Sequence, residues 1–428
     1  MGLWRSLVVD VFEVLLARNA WEKRKLGETN SYFTDGNYGE SYPKESELSD
    51  KENGVPFLRG SNLRNGELIE DNANYITKEK HAELTSGHLV EDDIVLAVRG
   101  SLGALGYVKD ENIDWNINSQ LAVIRTDKSE LSGKFLVQFL LSWRGQKELL
   151  SRNTGTALKQ LPIKQLKDVP VPIVNLDEQK EIGALFSSID NLIAATQDKL
   201  SFLKKMKMFF LQQIFPTKNH DVPQIRFDGF TDVWSHYKLG SLMRIDKEQE
   251  VKKELLTDIQ KGFYVLAMRT FSMDGYIDHS KPYWLNHLDN VSDDKFLLPR
   301  EFAILDADMD ANLPKIGRVL LNASSEKYLL AAHVRKIQVK SGNDPIFIYA
   351  LMRGNSVHER LKLEANGSIS KRLLDKNVYK QSILVPNRSE QSRIGRLFFL
   401  LETTITLHQQ KIKMLKQVKK SCLQNLFI

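Results

Sequence analysis

Residues 178–215 read EQKEIGALFSSIDNLIAATQDKLSFLKKMKMFFLQQIF, and residues 390–427 read EQSRIGRLFFLLETTITLHQQKIKMLKQVKKSCLQNLF. The two stretches align without a gap, and about 15 of their 38 positions are identical. Further upstream, the segment 21–27 has a counterpart in residues 234–240. The chain therefore contains two copies of one plan, each a region of mixed pattern followed by a long helix.

Each helical stretch carries apolar residues at alternating steps of four and three, which is the spacing of a coiled-coil seam. The seam residues are Ile182, Phe186, Ile189, Ile193, Leu200 and Leu203 in the first copy and Ile394, Phe398, Leu401, Ile405, Ile412 and Leu415 in the second. At 1.5 Å per residue each helix would be roughly 57 Å long, and so long a helix needs a partner. We expect the two helices to pair antiparallel, the alternative being that each stripe packs on its own lobe. His408, aligned with Thr196, is interpreted as setting the register of the seam.

The region before each helix is of mixed type. Short apolar runs between Gly, Asn and Asp predict strands at 94–98, 121–124, 263–268 and 319–321, and helices are expected at 133–150 and 345–363. The predicted fold is α+β, with two pseudo-repeated mixed α/β domains, each followed by a long helix. The predicted divisions are an atypical segment 1–20, a first lobe 21–176, a central helix 177–216, a second lobe 217–388 and a distal helix 389–428.

The composition excludes some classes of protein but does not identify the function. The 60 Lys and Arg against 54 Asp and Glu give a net charge of +6, which permits a polyanionic partner but does not demand one. The single cysteine, Cys422, excludes a disulfide framework and fits a reducing compartment. No run reaches the roughly 18 apolar residues of a membrane span. Residues 7–15 predict a short amphipathic helix, and we expect a cytoplasmic protein with no membrane association.

Catalytic signatures are missing from the sequence. It has no G-x-x-x-x-G-K-[ST] phosphate loop, no H-E-x-x-H, no histidine pair with metal-ligand spacing and no G-x-S-x-G nucleophile elbow. It also lacks the Asn/Asp-Pro-Pro-aromatic loop of DNA amino-methylating enzymes. The sequence predicts a binding protein with no metal site and no cofactor of its own. Asp177 and Ser389 are read as N-caps before first-turn acids, and the alternative is a divergent nuclease that uses the acid-x-Lys of 177–180.

Several loop residues are of the types that contact nucleic acid. Arginine and asparagine on strand-borne loops can read guanine and adenine edges, and the candidates are Arg59, Asn62, Arg64, Arg99, Ser101 and Arg269. The repeated Gly-Thr/Ser-x-x-Lys stretches at 155–159 and 367–371 suit backbone or phosphate contact, which adds Thr156, Lys159, Ser368, Lys371 and the adjacent Arg372. The alternative is an ordinary solvated loop.

Lysines also gather towards the end of each long helix. They are Lys199, Lys204, Lys205, Lys207, Lys411, Lys413, Lys416, Lys419 and Lys420. Phosphate contact is one interpretation, and a solvated face that complements the helix dipole is the other.

The pattern resembles the specificity subunit (S, HsdS) of type I restriction-modification systems. The resemblance rests on residues 21–28 (WEKRKLGE), on 223–234 (PQIRFDGFTDVW), and on the Glu-Gln…Ile-Gly…Phe series that begins at Glu178 and again at Glu390. It covers nearly the whole chain and says little about the interiors of the lobes. It fails at residues 1–19, which lack the Pro-x-x-Arg-Phe-x-Gly-Phe start that the second copy has.

The resemblance implies that each lobe is a target recognition domain for one half of a bipartite, asymmetric DNA sequence. It implies that the paired helices act as a ruler for the spacer between the half-sites. The expected partners are double-stranded DNA, two modification subunits that methylate adenine N6 from S-adenosylmethionine, and restriction subunits that use ATP and Mg²⁺ for translocation and cleavage. The chain itself would be non-catalytic. The alternative from another class is a two-lobed coiled-coil adaptor without nucleic-acid specificity.

Overall fold

The computed structural model describes residues 21–427 apart from 157, 217–220, 248–250, 252, 273–274, 287–292, 311, 313–314 and 368–370. The chain divides into two compact units, Met1–Ala195 with Ile412–Ile428, and Thr196–Lys411. Each unit holds one lobe of mixed structure and parts of both long helices. The amphipathic helix expected at 7–15 lies outside the described residues. Within the part of the chain that is described, no helix combines the length and hydropathy that a membrane-spanning segment requires.

The first lobe is built on two four-stranded sheets. Its strands are β1 Glu22–Lys25, β2 Tyr32–Asp35, β3 Leu48–Ser49, β4 Val55–Leu58, β5 Leu63–Arg64, β6 Glu67–Leu68, β7 Asn74–Ile76, β8 Ile94–Ala97, β9 Leu105–Tyr107, β10 Asn116–Ile117, β11 Leu121–Arg125 and β12 Pro170–Ile173. One sheet has the order β2-β11-β8-β9 and is antiparallel throughout. The other has the order β10-β4-β7-β3, with β10 parallel to β4. Strands β1 and β12 pair beside the start of the long helix.

The second lobe repeats this topology. Its strands are β13 Ser235–Lys238, β14 Met243–Ile245, β15 Leu256–Thr257, β16 Phe263–Leu266, β17 Trp284–Leu285, β18 Phe296–Leu297, β19 Phe302–Leu305, β20 Ala307–Asp308, β21 Val319–Leu321, β22 Tyr328–Leu330, β23 Val334–Val339, β24 Lys371–Arg372 and β25 Ser382–Val385. The sheet β14-β23-β19-β21 matches β2-β11-β8-β9 strand for strand, and β16 pairs with β22 in parallel as β4 does with β10. The strands expected at 94–98, 121–124 and 319–321 are therefore confirmed, and the one expected at 263–268 is present but ends at Leu266, before a turn.

The helices complete the two lobes and form the two long elements. In chain order they are α1 Lys78–Glu83, α2 Gly133–Leu141, α3 Trp143–Ser151, α4 Ile163–Lys167, α5 Leu176–Gln213, α6 Leu239–Leu242, α7 Pro345–Arg353, α8 Asn355–Leu363, α9 Asp375–Tyr379 and α10 Arg388–Leu426. Helix α5 contributes 176–195 to the first unit and 196–213 to the second. The expected long helices correspond to α5 and α10.

The single helices expected at 133–150 and 345–363 are wrong, because each is two helices. Ser142 has extended backbone angles between α2 and α3, and its Oγ accepts a hydrogen bond from Gly145 N at 3.1 Å. Gly145 lies so close to α2 that a Cβ there would be 2.1 Å from the carbonyl oxygen of Phe139. In the second lobe the break is at Gly354. A period of 3.6 residues continues through both breaks, so the apolar pattern did not reveal them.

The N-cap of each long helix also lies two residues earlier than expected. Asn175 Oδ1 accepts a hydrogen bond from Glu178 N at 2.8 Å, and Asn387 Oδ1 accepts one from Glu390 N at 3.0 Å. The helices begin at Leu176 and Arg388, so Asp177 and Ser389 are first-turn residues. Asparagine is as good an N-cap as aspartate or serine, which is why the sequence left the choice open.

The repeated Gln and Gly positions dock each long helix on the lobe that precedes it. Gln179 Oε1 accepts from Ser132 N at 2.9 Å, and Gln391 Oε1 accepts from Asp344 N at 3.0 Å. Gly183 lies against α2, where a Cβ would be 2.8 Å from the Cβ of Lys134. Because these contacts need a small residue and an amide at fixed positions, packing explains the shared sequence without catalysis.

Within the first unit, the beginning of α5 packs against the end of α10. Ile182, Phe186, Ile189 and Ile193 share one buried cluster with Leu415, Cys422, Leu423, Leu426 and Phe427. Lys419 Nζ lies 2.7 Å from both carboxylate oxygens of Asp190. The ring of Phe427 contacts Trp21, with centroids 5.7 Å apart, and also Phe135. The seam residues of α5 in this unit therefore pack in one core with both α10 and the first lobe.

Within the second unit, the end of α5 packs against the beginning of α10. Leu203, Leu211 and Phe215 share a buried cluster with the seam residues Ile394, Phe398, Leu401 and Ile405. Phe215 stacks on Phe398 at 5.9 Å and also contacts Trp234 and Phe347. Of the twelve predicted seam residues, all but Leu200 and Ile412 are buried. His408 directs Nδ1 to the carbonyl of Thr404 on its own helix.

Candidate nucleic-acid interface

Three loops meet at one end of the antiparallel sheet in the first lobe. The backbone N–H groups of Val98 and Arg99, after β8, donate to the carbonyl of Gln120, before β11, at 2.8 and 3.2 Å. Leu161 N donates to Val98 O at 2.9 Å, which fixes the segment 154–160 beside the other two loops. Thr154 and Gln160 exchange backbone hydrogen bonds and close this segment into a hairpin. The loops form one surface, which we call the first loop cluster.

The first loop cluster presents several predicted residues to solvent. Arg99 is exposed, and its guanidinium donates to Ser119 O at 2.9 Å and to Gln160 Oε1 at 3.4 Å. Ser101, Thr156 and Lys159 are exposed as well. Gly155 has a φ of +90°, and a Cβ there would be 2.4 Å from the carbonyl oxygen of Leu158, so the hairpin requires glycine. The structure thus places Thr156, Lys159 and Arg99 on one surface.

The predicted residues of the 59–64 segment divide into different roles. Asn62 is fully buried, and its side chain accepts from Arg59 N at 3.1 Å and donates to the carbonyls of Ile69 and Asp71. A side chain so enclosed holds the turn after β4, so the expectation that Asn62 reads a base is wrong. Arg59 is half-buried and donates to Asn72 O at 3.0 Å. Arg64 is exposed on the β5–β6 hairpin, opposite Glu67.

The second lobe has the same loop arrangement, which we call the second loop cluster. Asp306 N donates to His333 O at 3.0 Å, as Val98 does to Gln120. Leu373 N donates to Asp306 O at 2.8 Å, as Leu161 does to Val98. Asn366 and Arg372 exchange backbone hydrogen bonds, as Thr154 and Gln160 do in the first lobe. The residues that flank the two repeated sequence stretches therefore have equivalent pairing in the fold.

The side chains of the second loop cluster differ from those of the first. The Asp306 carboxylate is contacted by His333 Nδ1 at 3.1 Å and by Arg335 Nη1 at 3.4 Å, and burial raises the pKa of that carboxyl against these partners. Arg372 Nη2 lies 3.3 Å from His333 Nδ1 and is exposed, whereas Lys371 is half-buried. Ser368 lies outside the described residues.

Arg269 is held by its own lobe. Its guanidinium contacts Asp258 and the carbonyl of Pro282 and lies over the ring of Tyr283, 3.1 Å from the centroid. It follows β16 in a turn where Thr270 Oγ1 accepts from Ala267 N, just as Asn62 does in the first lobe. The two turns occupy equivalent places in the two lobes. Arg59 and Arg269 do not, because Arg59 corresponds to Ala267.

The helix lysines have mixed environments. Lys207 is buried with its Nζ 2.7 Å from Glu402 Oε1, and Lys419 pairs with Asp190. Lys204 and Lys207 lie near the ring of Tyr276 and line a cavity of about 430 Å³ with Lys205, Arg318 and Arg353. The cationic lining makes this cavity a candidate for an anionic group.

The nuclease alternative finds no support in the geometry around Glu178. Its carboxylate accepts from Trp21 Nε1 at 3.2 Å, and its backbone N–H is capped by Asn175. Asp177 and Lys180 are exposed on the first turns of α5. A structural role accounts for Glu178 in this arrangement.

The fold brings together residues that sequence spacing did not connect. Gln120, His333 and Arg335 belong to the loop clusters, and pairing between distant segments brings them there. His81, His88 and Asp114 form a group with metal-ligand chemistry, although no histidine pair has a familiar metal spacing in the sequence. No local signal marks either group, since their members come from separate segments of the chain.

The sequence model of one protein family, the type I restriction modification DNA specificity domain, matches residues 19–205 and, a second time, residues 231–417. The protein belongs to this family. Among relatives of this specificity protein, the putative type I restriction enzyme MjaX specificity subunit of Methanocaldococcus jannaschii is 21% identical over 418 residues, covering 94% of this chain and 91% of that protein. The type I restriction enzyme EcoBI specificity subunit of Escherichia coli is 24% identical over 215 residues, which are 49% of this chain and 44% of that protein.

The fold of this specificity protein is also found in a solved structure. The crystal structure of a type I restriction-modification system S subunit from M. genitalium has a TM-score of 0.67 and 14% identity, and the likeness covers 96% of this chain and 98% of that one. This likeness and the tandem family match confirm the predicted α+β class and the two repeated domains.

Proposed function

We propose that this specificity protein recognises a bipartite, asymmetric DNA sequence and directs partner subunits to it. The observation that carries the proposal is the pair of loop clusters. They occupy equivalent ends of equivalent sheets, yet one presents Arg99 and the other presents Arg372 beside His333 and Asp306. Two like scaffolds with unlike side chains are suited to two different half-sites, because the backbone sets position and the side chains set base preference.

The spacer between the half-sites would be set by α5 and α10. Asp190 pairs with Lys419 in the first unit, and Lys207 pairs with Glu402 in the second. Lys207 follows Asp190 by the same number of residues as Glu402 precedes Lys419. This agrees with one antiparallel register along both helices, which supports their proposed role as a ruler.

The chemistry would belong to partner subunits. Two modification subunits would methylate adenine N6 from S-adenosylmethionine, and restriction subunits would supply ATP-driven translocation and Mg²⁺-dependent cleavage. The chain would then be a non-catalytic subunit that acts on chromosomal DNA in the cytoplasm. The structural engagement of Glu178 supports this division of labour, because it leaves the acid-x-Lys segment without a catalytic arrangement.

A methylome tests the proposal directly. The chain is expressed with a type I modification subunit, and N6-methyladenine is mapped by single-molecule sequencing, with omission of the chain as the control. We expect one bipartite motif that depends on the chain. A soluble complex that produces no new motif would contradict the proposal.

Two chain alterations test the division between lobes and helices. Replacing residues 29–150 with the equivalent part of another specificity protein should change one half of the motif, and a change in both halves would refute separate recognition. Inserting one heptad after Thr196 should lengthen the spacer or abolish methylation. Methylation with an unchanged spacer would rule out the ruler.

The adaptor alternative differs in its response to salt. Phosphate contacts release counterions, so the affinity of a DNA-binding chain for duplex falls steeply as salt rises. The complex should bind duplex with such a slope, whereas an adaptor should show no duplex binding at any salt concentration.

A further inference from the structure

The first lobe contains a compact group of three potential metal ligands. His81 Nε2 lies 3.2 Å from Asp114 Oδ1, and His88 Nδ1 lies 3.3 Å from the same oxygen. All three ligand atoms are within 4.8 Å of one another. A tetrahedral ion with bonds of about 2.0 Å holds its ligand atoms about 3.3 Å apart, so these separations match what such an ion requires.

The hydrogen bond on the far side of His88 orients its lone pair. His88 Nε2 lies 2.7 Å from the carbonyl oxygen of Leu84, so this nitrogen must carry the proton that it donates. In the neutral ring, Nδ1 is then an acceptor that faces the Asp114 carboxylate, which is also an acceptor. A cation between the two resolves this contact, and a metal-bound histidine typically donates its other N–H to a carbonyl in this way.

His81 is free to present Nε2 to a metal. Its side chain is nine-tenths buried, and its Nδ1 has no hydrogen-bond partner among the described residues. No contact on Nδ1 therefore fixes which ring nitrogen carries the proton. The tautomer protonated on Nδ1 directs the lone pair of Nε2 towards a metal beside Asp114.

From this geometry we propose that His81, His88 and Asp114 bind a divalent transition-metal ion such as Zn²⁺. Two imidazole nitrogens and one carboxylate oxygen are ligands that such ions favour, and the Asp114 side chain is 72% exposed, which leaves room for water as a fourth ligand. The ion would join the α1 region to the loop before β10.

The site has a connection to the first loop cluster. His88 forms a β-bridge with Asn116, and Asn118 Oδ1 accepts a hydrogen bond from Gln120 N at 2.9 Å. The metal would therefore stiffen the chain segment that leads directly to Gln120. This is a structural role within the first lobe, and it does not depend on the proposed DNA function.

Cobalt binding tests the proposal on the full chain. The protein is stripped with a chelator, titrated with Co²⁺ and followed by its visible ligand-field bands, and Zn²⁺ is then added to displace the cobalt. We expect one saturable equivalent, with at least tenfold weaker binding in His88→Ala and Asp114→Asn. His236→Ala, which removes an exposed histidine of β13, should bind as the unaltered chain does.

Thermal unfolding with and without Zn²⁺ supplies the second measurement. Zn²⁺ should raise the unfolding temperature of the unaltered chain and of His236→Ala but not that of Asp114→Asn, which preserves side-chain shape if His88→Ala folds poorly. The proposal is overturned if the unaltered chain binds no Co²⁺, which would leave an ion pair only. It is equally overturned if Asp114→Asn, folded at the start, binds Co²⁺ as tightly.

Discussion

Lys207 and Glu402 form an ion pair in the interior of the second unit, with Lys207 Nζ 2.7 Å from Glu402 Oε1 and both side chains at least 96% buried. Tyr349 donates its hydroxyl to the same oxygen at 2.5 Å. Burial lowers the pKa of Lys207 to about 8, while the charge of Glu402 opposes this effect. The pair joins α5 to α10 at a place where both side chains are almost fully removed from the surface.

Glu402→Gln should therefore destabilise the second unit by about 3 kcal/mol, because it keeps an acceptor for Tyr349 but leaves Lys207 without a counter-charge. Adding Lys207→Met should recover part of the loss. Chemical denaturation of the two single variants and the double variant measures the coupling, and strictly additive losses would contradict it. Asp168→Asn, in the exposed pair with Lys25, is the control and should have no measurable effect.

The phenylalanines that end the two helices should stabilise different units. Phe427 contacts Trp21 and Phe135, whereas Phe215 contacts Trp234 and Phe347. Each truncation to alanine should cost about 3–5 kcal/mol, because a buried aromatic leaves a cavity. Hydrogen exchange should show lost protection in the first lobe for Phe427→Ala and in the second for Phe215→Ala. Equal loss in both lobes would be inconsistent with this assignment.

The aligned residues Glu178 and Glu390 offer a matched comparison. Arg226 donates twice to Glu390, at 2.8 Å each, and Glu390 is fully buried. Glu178 is half-buried and accepts only from uncharged donors, Trp21 Nε1 at 3.2 Å and Asn175 Nδ2 at 3.4 Å, among the described residues. Glu390→Gln should cost about 3 kcal/mol, and Glu178→Gln about 1 kcal/mol or less. Denaturation midpoints measure both, and a larger loss for Glu178→Gln would reverse the interpretation.

His358 should make the stability of the second unit depend on pH. Burial lowers its pKa to about 4, and its Nε2 lies 2.9 Å from the carbonyl oxygen of Ile316. Between pH 6.5 and 4 the unfolded chain binds a proton that the folded chain does not, so stability falls as pH falls through this range. The full loss is about 3 kcal/mol.

His358→Gln keeps an N–H donor for Ile316 without the titration. Its unfolding free energy should change less between pH 6.5 and 4 than that of the unaltered chain, measured by urea denaturation at several pH values. Identical pH profiles for His358→Gln and the unaltered chain would exclude His358 as the cause of the pH dependence of stability.

Arg99 and Arg64 provide a test of the first loop cluster. Both are exposed in the first lobe, but only Arg99 lies beside the 154–160 hairpin. If Arg99 reads a base, Arg99→Ala should cost about 1–3 kcal/mol of binding and relax one position of the motif. If it contacts phosphate, binding should weaken on all sequences and the salt slope should fall by about one. Arg64→Ala should have the smaller effect in duplex titrations.

Sequence periodicity predicted the long helices and many strands because those elements bury continuous stripes. It missed the break at Ser142, where one hydroxyl and Gly145 turn the chain without interrupting the apolar period. It also assigned Asn62 to the surface, since asparagine in a loop is polar whether it caps a buried turn or faces water. An asparagine that caps a buried turn and an asparagine that contacts a base look the same in the sequence.

The candidate site was predictable only in part for a related reason. The hairpin residue Lys159 was found because its stretch is repeated in the sequence. Gln120 reaches the first loop cluster and His333 reaches the second through pairing between distant segments, and the fold brings His81 close to Asp114 although they are far apart in the sequence. Such long-range proximity leaves no trace in the local spacing of one sequence.

The discontinuity of the first unit has a consequence for biosynthesis. Trp21 and Phe135 both pack against the ring of Phe427, which the ribosome adds only after it has made the entire second unit. During synthesis the first lobe stays incomplete, with the apolar surface that Phe427 covers exposed. The second unit is continuous in the chain and can complete its folding first. The order in which the two halves are translated is thus the reverse of the order in which they can be completed.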